Sequence, residues 1–568
     1  MRPRPCRIPY RPRIEASKRG QTDSSEPPPR PRARRRGRGG RAVIADVLTK
    51  PWDVVVIGTG MGGGLAARRL AERGLSVLIL ERGVAVEAGG GAQSGPGYWE
   101  KPLHGVLDGE SKAYHGVLGS TVGGTSVNYA GSLERPERHD LDEAPGRPHP
   151  TGGWAAGYDA FRPHFETVER IFHVCGEPDP LGAEVHPPLA APPAPSPGDA
   201  ALMASFRRRG LHPYRAHLSI RYLPRCAECI GRVCPSRCKS DARTAGVEPA
   251  LATGRAALLD GCEVTALRGA QGRISHLEAR RGGERLTLAA RCVVLSAGGL
   301  ASPRLLLASA SEDWPEGCAN ASGLVGRNLM FHLSERLAIW PDRYAPLGKP
   351  AKAISLRDFY YRDGMRLGLL QSMGLDASYG NVVHHLNEKF DRSAPRRLRP
   401  LRGALRIPAY LAARLLGAAR IFVGILEDPA VPGNRVVFDA AAPERLAFNY
   451  QLTPDLCRRR RIFREMIRTA LRGQRTIFLN AKPELNVAHP CGTLRFGDDP
   501  RSSVLDPFCR AHGLSNLYVA DSSFMPTSNG VNPSLTIAAN ALRVADRIAA
   551  TFAALDPLPQ PTTFAGGK

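Results

Sequence analysis

Three glycines, one carboxylate and a group of four cysteines are the residues of this chain whose types and spacing can do chemistry. Gly58, Gly60 and Gly63 stand in G-x-G-x-x-G order. The first permits a tight turn, the second lets backbone approach a pyrophosphate, and the third lets a helix pack close to a strand. The free N–H groups and partial positive charge of a helix start then hold the anion. Glu81 closes the next apolar run, where a carboxylate accepts hydrogen bonds from ribose hydroxyls. These residues predict a dinucleotide site, and the fingerprint alone does not separate FAD from NAD. Cys226, Cys229, Cys234 and Cys238 follow C-x2-C-x4-C-x3-C spacing. Four thiolates this close can surround zinc or an iron–sulfur cluster. Arg225, Arg232, Arg237 and Lys239 would lower the thiol pKa values and favour metal. The competing reading is a loop of free or paired thiols.

The elements that must position these residues are legible around them. Asp53 to Ile57 is a short apolar run rich in β-branched residues, as in a buried parallel strand. Leu65, Ala66 and Leu70 recur at helical spacing, and Val77 to Leu80 forms the second strand. Residues 119–131 are a run of small residues that lets backbone lie against a flat ring or a phosphate. Trp154 to Val174 reads as a helix, and Cys262 to Leu267 and Leu286 to Ala290 as strands. Val293 to Gly299 and the helix Ser302 to Ala308 make a second strand–glycine–helix crossover, expected beside the first in one sheet. Leu401 to Leu426 is apolar but interrupted by four arginines, which predicts a basic amphipathic helix on a membrane surface, a partner or its own domain. Near the end come His489 in HPCGT, a strand Asn516 to Ala520 closing on Asp521, and a helix Ser534 to Ala550 opened by Pro533.

Composition bounds the classes. The chain has 568 residues, long enough for more than one domain. Its formal net charge is +25, of which residues 1–50 contribute +11. Residues 1–42 are dominated by Arg, Pro and Gly and are expected to be disordered, with no nucleic-acid partner. Twelve cysteines are too few for a disulfide scaffold at this length. No apolar stretch is long enough for a transmembrane helix and no signal peptide is seen, so the protein is expected in the cytoplasm, or peripherally on the inner membrane through 401–426.

The motif order resembles the glucose–methanol–choline oxidoreductases, FAD enzymes that oxidise alcohols. The matching segments are GTGMGGG, VGGTSVNYAG, SAGGLASPRLLL, GLVGRNLMFH and HPCGT…SSVLD…NLYVADSSFMPTSNGVNPSLTIAANALRVAD, together spanning about residue 52 to residue 550. The look is nearest the bacterial sugar and polyol dehydrogenase branch, where a CPxxC insert can hold an iron–sulfur cluster. The resemblance implies an α/β protein: a Rossmann-like FAD-binding domain from 51–135, 255–329 and 488–553, and an α+β substrate domain from 136–254 and 330–487. The latter would carry the Cys-rich insert 226–238, with tails at 1–50 and 554–568. It implies His489 as the base that takes the alcohol proton, Asn532 as its partner, and hydride transfer to flavin N5. Cofactor contacts are implied at Gly58, Gly60, Gly63, Glu81, Gly123, Gly124, Asn128, Val264, Asp521, Asn532 and Pro533. Because position 128 is Asn rather than His, FAD is expected to be non-covalent. The donor is a small alcohol, sugar or sterol, and the acceptor O2, a cytochrome or a quinone. The alternative is a non-redox lyase or decarboxylase on the same fold.

Overall fold

A parallel sheet carries the glycine turn at the carboxyl end of its middle strand. In the computed structural model, which describes residues 51–86, 101–343, 345–375 and 396–555 with a few positions between and just before them, its order is Leu517–Val519, Cys292–Leu295, Val54–Ile57, Val77–Leu80, Ala256–Leu259. Every neighbouring pair is parallel. In chain order this is 3-2-1-4-5 read from the far edge, so the connection reverses beside Val54–Ile57. Such a reversal opens a crevice at the carboxyl ends of the strands, where ligands of doubly wound folds sit. The central strands are apolar and buried on both faces, which explains their unbroken Val and Leu runs. The second crossover thus pairs directly with the first, as expected, through Val54↔Cys292 to Ile57↔Leu295.

A second sheet has six strands in the order Thr476–Phe478, His332–Ile339, Arg420–Glu427, Gly368–Ser372, Ile354–Leu356, Tyr214–Arg215. Its pairs are antiparallel. Side chains alternate faces along each strand. Leu333, Leu337, Leu370, Phe422 and Leu426 point into a core shared with Leu456, Phe463 and Ile467 of the helix Pro454–Ala470. Ser334, Gln371, Val423 and Ile425, at the intervening positions, line a cavity on the other face. Among the described residues three smaller sheets complete the β structure: Cys262–Ala270/Arg273–Arg281/Glu284–Ala289, one pairing Leu103–Leu107 with Ala447–Tyr450, and the two-stranded Tyr361–Arg362/Met365–Arg366.

One expectation is corrected here. Leu401 to Leu426 is not one helix. Arg396–Leu405 is a 3-10 segment, Arg406–Leu416 an α-helix, and Arg420–Glu427 a strand in the middle of the six-stranded sheet. The apolar run Ile421-Phe422-Val423 supplies β-branched and aromatic residues to a two-sided strand. Arg420 is not a snorkelling surface residue. It is buried and makes a fork with Asp199, at 2.8 and 2.6 Å, on the helix Pro197–Arg208. The helix Ser534–Leu555 runs past its expected end, so residues 554 and 555 are helical rather than tail; the expected tails at 1–46 and 556–568 lie outside the described residues. Among the described residues no helix is long and apolar enough to cross a membrane.

Removing one partner of a buried ion pair leaves an uncompensated charge. Asp199→Ala is therefore expected to destabilise the protein by about 3–5 kcal/mol, read as a lowered urea midpoint. An unchanged midpoint would show that Arg420 finds another partner.

Candidate active site

Between the parallel sheet and the six-stranded sheet lies one cavity of about 1760 Å³, lined by both. At its cofactor end the strand Val54–Ile57 turns at Gly58, whose φ of +95° a side chain would resist. A Cβ there would also stand 2.4 Å from the Ser296 carbonyl oxygen. Gly63 is as constrained, since its Cβ would meet the Gly58 carbonyl oxygen at 2.0 Å. Gly60 differs: no protein atom lies within 4 Å of the place its Cβ would take, and it lines the cavity. Gly60 caps the helix Met61–Glu72, which has no side-chain cap and no acid in its first turn. Its leading N–H groups are thus left for an anion.

Glu81 lines the same end, but its carboxylate is already engaged. It accepts from the Thr59 N–H at 3.0 Å, from the Thr59 hydroxyl and from the Gly83 N–H at 2.8 Å. Burial raises its pKa against these bonds. Gly124 lines the cavity and lies so near the fingerprint turn that its Cβ would be 2.8 Å from the Gly60 Cα. Gly123 packs instead against Val127 and Arg243, and it is Thr59 that ties it to the turn through a 2.9 Å bond from the Gly123 N–H. Asn128, Val264, Asp521, Asn532 and Pro533 all line the cavity, whereas Gly63 and Gly123 support it from behind. Asp521 spends its oxygens on Ser523, Gly298 and Ser302, which fixes the ends of two parallel strands. Asn128 Oδ1 and Ser296 Oγ are among the buried polar atoms of the wall that have no partner among the described residues. Buried polar atoms are seldom left unpaired. With the open Gly60 and the uncapped helix start, they fit a dinucleotide laid along this wall.

At the other end of the cavity, His489 faces a second histidine. Its Nδ1 lies 3.1 Å from His332 Nδ1, with the rings perpendicular. His332 Nε2 lies 2.9 Å from the Asn529 carbonyl oxygen, which only accepts, so that nitrogen carries the His332 proton. His332 Nδ1 is then an acceptor and His489 donates to it from Nδ1. Asn486 Nδ2 lies 3.2 Å from the same His489 nitrogen, and the amide must be turned over, giving up a 3.4 Å bond from the Ala488 N–H, to present its oxygen in that arrangement. His489 Nε2 is left with its lone pair free. Burial holds His332 down to about 4, and burial, reinforced by the repulsion a second cation would meet from a protonated His332 and by the Lys352 charge, holds His489 well below the usual imidazole range. Beside them, Gln371 Nε2 donates to Asn532 Oδ1 at 2.8 Å, which turns the Asn532 amide nitrogen away from Gln371. Cys491 next to His489 is buried, and burial raises its thiol far above the usual range, so it is no nucleophile.

The N-terminal sequence profile of the GMC oxidoreductases matches residues 61–334, and the C-terminal profile matches 438–541. The chain is 31% identical to 6'''-hydroxyparomomycin C oxidase of Streptomyces lividus, over 89% of this chain and 92% of that protein. The chain belongs to the GMC oxidoreductase family. It is an FAD-dependent oxidoreductase of alcohol or sugar CH–OH groups. It is also 26% identical to the fructose dehydrogenase large subunit of Gluconobacter japonicus, over 87% of this chain and 97% of that one. Among solved structures, pyridoxine 4-oxidase from Mesorbium loti shares the fold with a TM-score of 0.60 at 21% identity, covering 88% of this chain and 99% of that chain.

The cysteine expectation fares differently within this GMC chain. Cys226, Cys229, Cys234 and Cys238 do pack in one cluster with Cys175 and Leu218. Among the described residues, however, no group of three or more His, Cys, Asp or Glu side chains is arranged to hold a metal ion. The thiols associate two by two, Cys229 with Cys234 and Cys238 with Cys226. Nor do the basic flanks make all of them thiolates: burial raises Cys229, and pushes Cys238 up to about 11. Arg237 is turned away onto Glu248 at 2.8 Å. Lys239, buried, donates instead to the carbonyls of Cys229, Arg232, Val127 and Tyr129 at 2.8–3.1 Å, stapling the cysteine loop to the small-residue loop 119–131.

Sequence reasoning missed His332, Asn486 and Gln371. His332 ends the quoted segment GLVGRNLMFH and Asn486 precedes His489 by one turn, so both carried a local signal; Gln371 carried none.

Gly60 separates fold from cofactor. Gly60→Ala is expected to give a folded protein that purifies with FAD content reduced about tenfold or more, since the methyl has room in the protein but not beside a pyrophosphate. Full flavin content by absorbance would show that the cofactor runs elsewhere.

Proposed function

We propose that His489 is the base that takes the hydroxyl proton of the donor alcohol and that Asn532 holds the same oxygen. What supports this is the histidine pair: His489 gives its Nδ1 proton to His332 and keeps Nε2 for the substrate. A neutral imidazole with a free nitrogen accepts a proton, and His332 Nδ1 then steadies the resulting cation. The Asn532 amide nitrogen, freed by the bond of Asn532 Oδ1 to Gln371, donates to the alcohol oxygen without competing for its proton. FAD, when bound along the glycine wall, supplies the two-electron acceptor. Gly58, Gly60, Gly63, Gly123, Gly124, Glu81, Asn128, Val264, Asp521 and Pro533 would hold it, without a covalent link at Asn128. The antiparallel sheet excludes water from the opposite side.

This reading assigns 51–135, 255–329 and 488–553 to an FAD-binding domain, since all five parallel strands come from those segments. The remaining 136–254 and 330–487 supply all six strands of the other sheet and form the substrate domain. Two relatives named as oxidases, the second being paromamine 6'-oxidase of Streptomyces fradiae at 30% identity, support O2 as the acceptor. The enzyme is cytoplasmic in this reading. Its contact with a membrane surface would run through the helix Arg406–Leu416, where Ile407, Tyr410, Leu411 and Leu415 are exposed between arginines.

Anaerobic bleaching of the flavin bands by an alcohol or sugar panel tests the reaction, and peroxide formed in air tests the acceptor. His489→Ala should retain FAD while flavin reduction slows by roughly 10²–10⁴-fold. Because the His489 pKa is lowered, the active neutral form persists below the ordinary imidazole range. The wild-type kcat/KM should therefore stay flat as pH falls through 6.5 and decline only at more acidic pH. A midpoint at 6.5, or a variant reducing flavin at the wild-type rate, removes His489 from the role.

A further inference from the structure

Among the described residues, Lys352 is a buried cation of the cavity wall that has no carboxylate partner. It lines the cavity with His489 and Gln371, and it is only 3% exposed. Its ammonium makes a single long hydrogen bond, to the Ser372 carbonyl oxygen at 3.3 Å. Among the described residues no carboxylate pairs with it. Glu134, whose charge reaches it at a distance, is occupied by Ser355, Tyr214 and the His217 N–H. Three other buried cations are better matched: Arg366 by Glu427 and Asp140, Arg420 by Asp199, and Lys239 by four carbonyls. An ammonium has three donors, and a buried one normally finds acceptors for them. Desolvation lowers Lys352 to about 8, which still leaves it mostly charged at neutral pH.

Among the described residues, positive charge outweighs negative in these surroundings. Glu228 lines this half of the cavity, but its carboxylate accepts from the Ala351 N–H at 2.9 Å and from Tyr222. Glu484 is paired with Arg336. Arg232 and Lys349, both exposed, add positive charge at the rim. The field in this half is therefore positive, and a low-dielectric wall strengthens it.

We propose that Lys352 anchors an anionic group of the substrate, so that the preferred donor is an alcohol bearing a carboxylate or a phosphate near the carbon that is oxidised. The inference rests on the proposed alcohol oxidation for its context, but the anion site stands on the unmatched ammonium alone. Anion bound at Lys352 and hydroxyl bound at His489 would share one cavity, and the two contacts together would orient the carbon for oxidation.

The test uses the FAD-loaded enzyme with glycerol, glycerate and glycerol 1-phosphate. Wild type should favour one or both anions over glycerol by at least tenfold in kcat/KM, and the better anion tells carboxylate from phosphate. Lys352→Met should reduce that ratio to within about twofold, chiefly through KM, whereas Lys352→Arg should keep it. In parallel, acetate and inorganic phosphate are titrated into each protein and followed by shifts of the flavin bands. Half-saturation should rise at least tenfold in Lys352→Met and not in Lys352→Arg. Equal use of glycerol and both anions by wild type overturns the proposal, as does an anion preference or anion titration unchanged in Lys352→Met. A Met variant that loses FAD while the Arg variant keeps it, with no anion effect on either, assigns the lysine to the cofactor instead and also overturns it. If no alcohol in a broad panel reduces the flavin but the anion titrations behave as expected, the proposed alcohol oxidation fails and the anion site stands.

Discussion

The close approach of Gly58 to the Ser296 carbonyl is the contact on which this site depends. Two parallel strands, Val54–Ile57 and Cys292–Leu295, must end side by side for the chain to reverse direction there. A side chain at Gly58 would drive them apart, because its Cβ would sit 2.4 Å from that oxygen. The turn in turn sets the start of the helix Met61–Glu72, and Thr59 ties the loop 119–131 to it through Gly123. Asp521 closes the arrangement from the third strand by holding Gly298 and Ser302. The dinucleotide wall is thus a consequence of how three strand ends are fastened, with few side chains left to contribute contacts of their own.

Chemistry at the opposite end follows from burial. Carboxylates such as Asp199 and Glu427 are paired with arginines, but His489 faces another neutral imidazole and a carboxamide. A carboxylate beside His489 would raise its pKa and favour the cation in advance of the substrate. A neutral histidine whose far nitrogen is fixed by the Asn529 carbonyl keeps His489 unprotonated and defines its tautomer. The Asn529 backbone has a φ of 60°, a left-handed conformation that Asn tolerates better than most residues, and it delivers that carbonyl to His332.

Much of this was legible in the sequence, for a local reason. The parallel strands are short apolar runs followed by glycines, and both signals lie within a few consecutive residues. The positions expected at the cofactor wall line the cavity or support it closely, Gly63 and Gly123 being the supporting ones. What was not legible depends on distant partners. Arg420 looked like a helix surface residue because the carboxylate that buries it, Asp199, is more than two hundred positions away. The cysteine spacing suggested a metal, while folding sets the free thiols two by two across the loop and buries all but Cys226, which is half-buried. Gln371 reaches the cavity through strand pairing and Lys352 from the bend just before the strand Ile354–Leu356, and no local pattern announces either.

The alternation along the six-stranded sheet has a consequence for how such an enzyme can diverge. Leu333, Leu337, Leu370, Phe422 and Leu426 carry the packing, while Ser334, Val423 and Ile425 face the cavity from the neighbouring positions; Gln371 also faces it but is tied to Asn532. The two sets sit on the same strands yet touch different surroundings. A mutation in the second set can therefore reshape what the enzyme accepts with little penalty to folding, and a mutation in the first set does the reverse. The sheet works as a removable faceplate over fixed machinery, so new donor preferences can be explored one residue at a time.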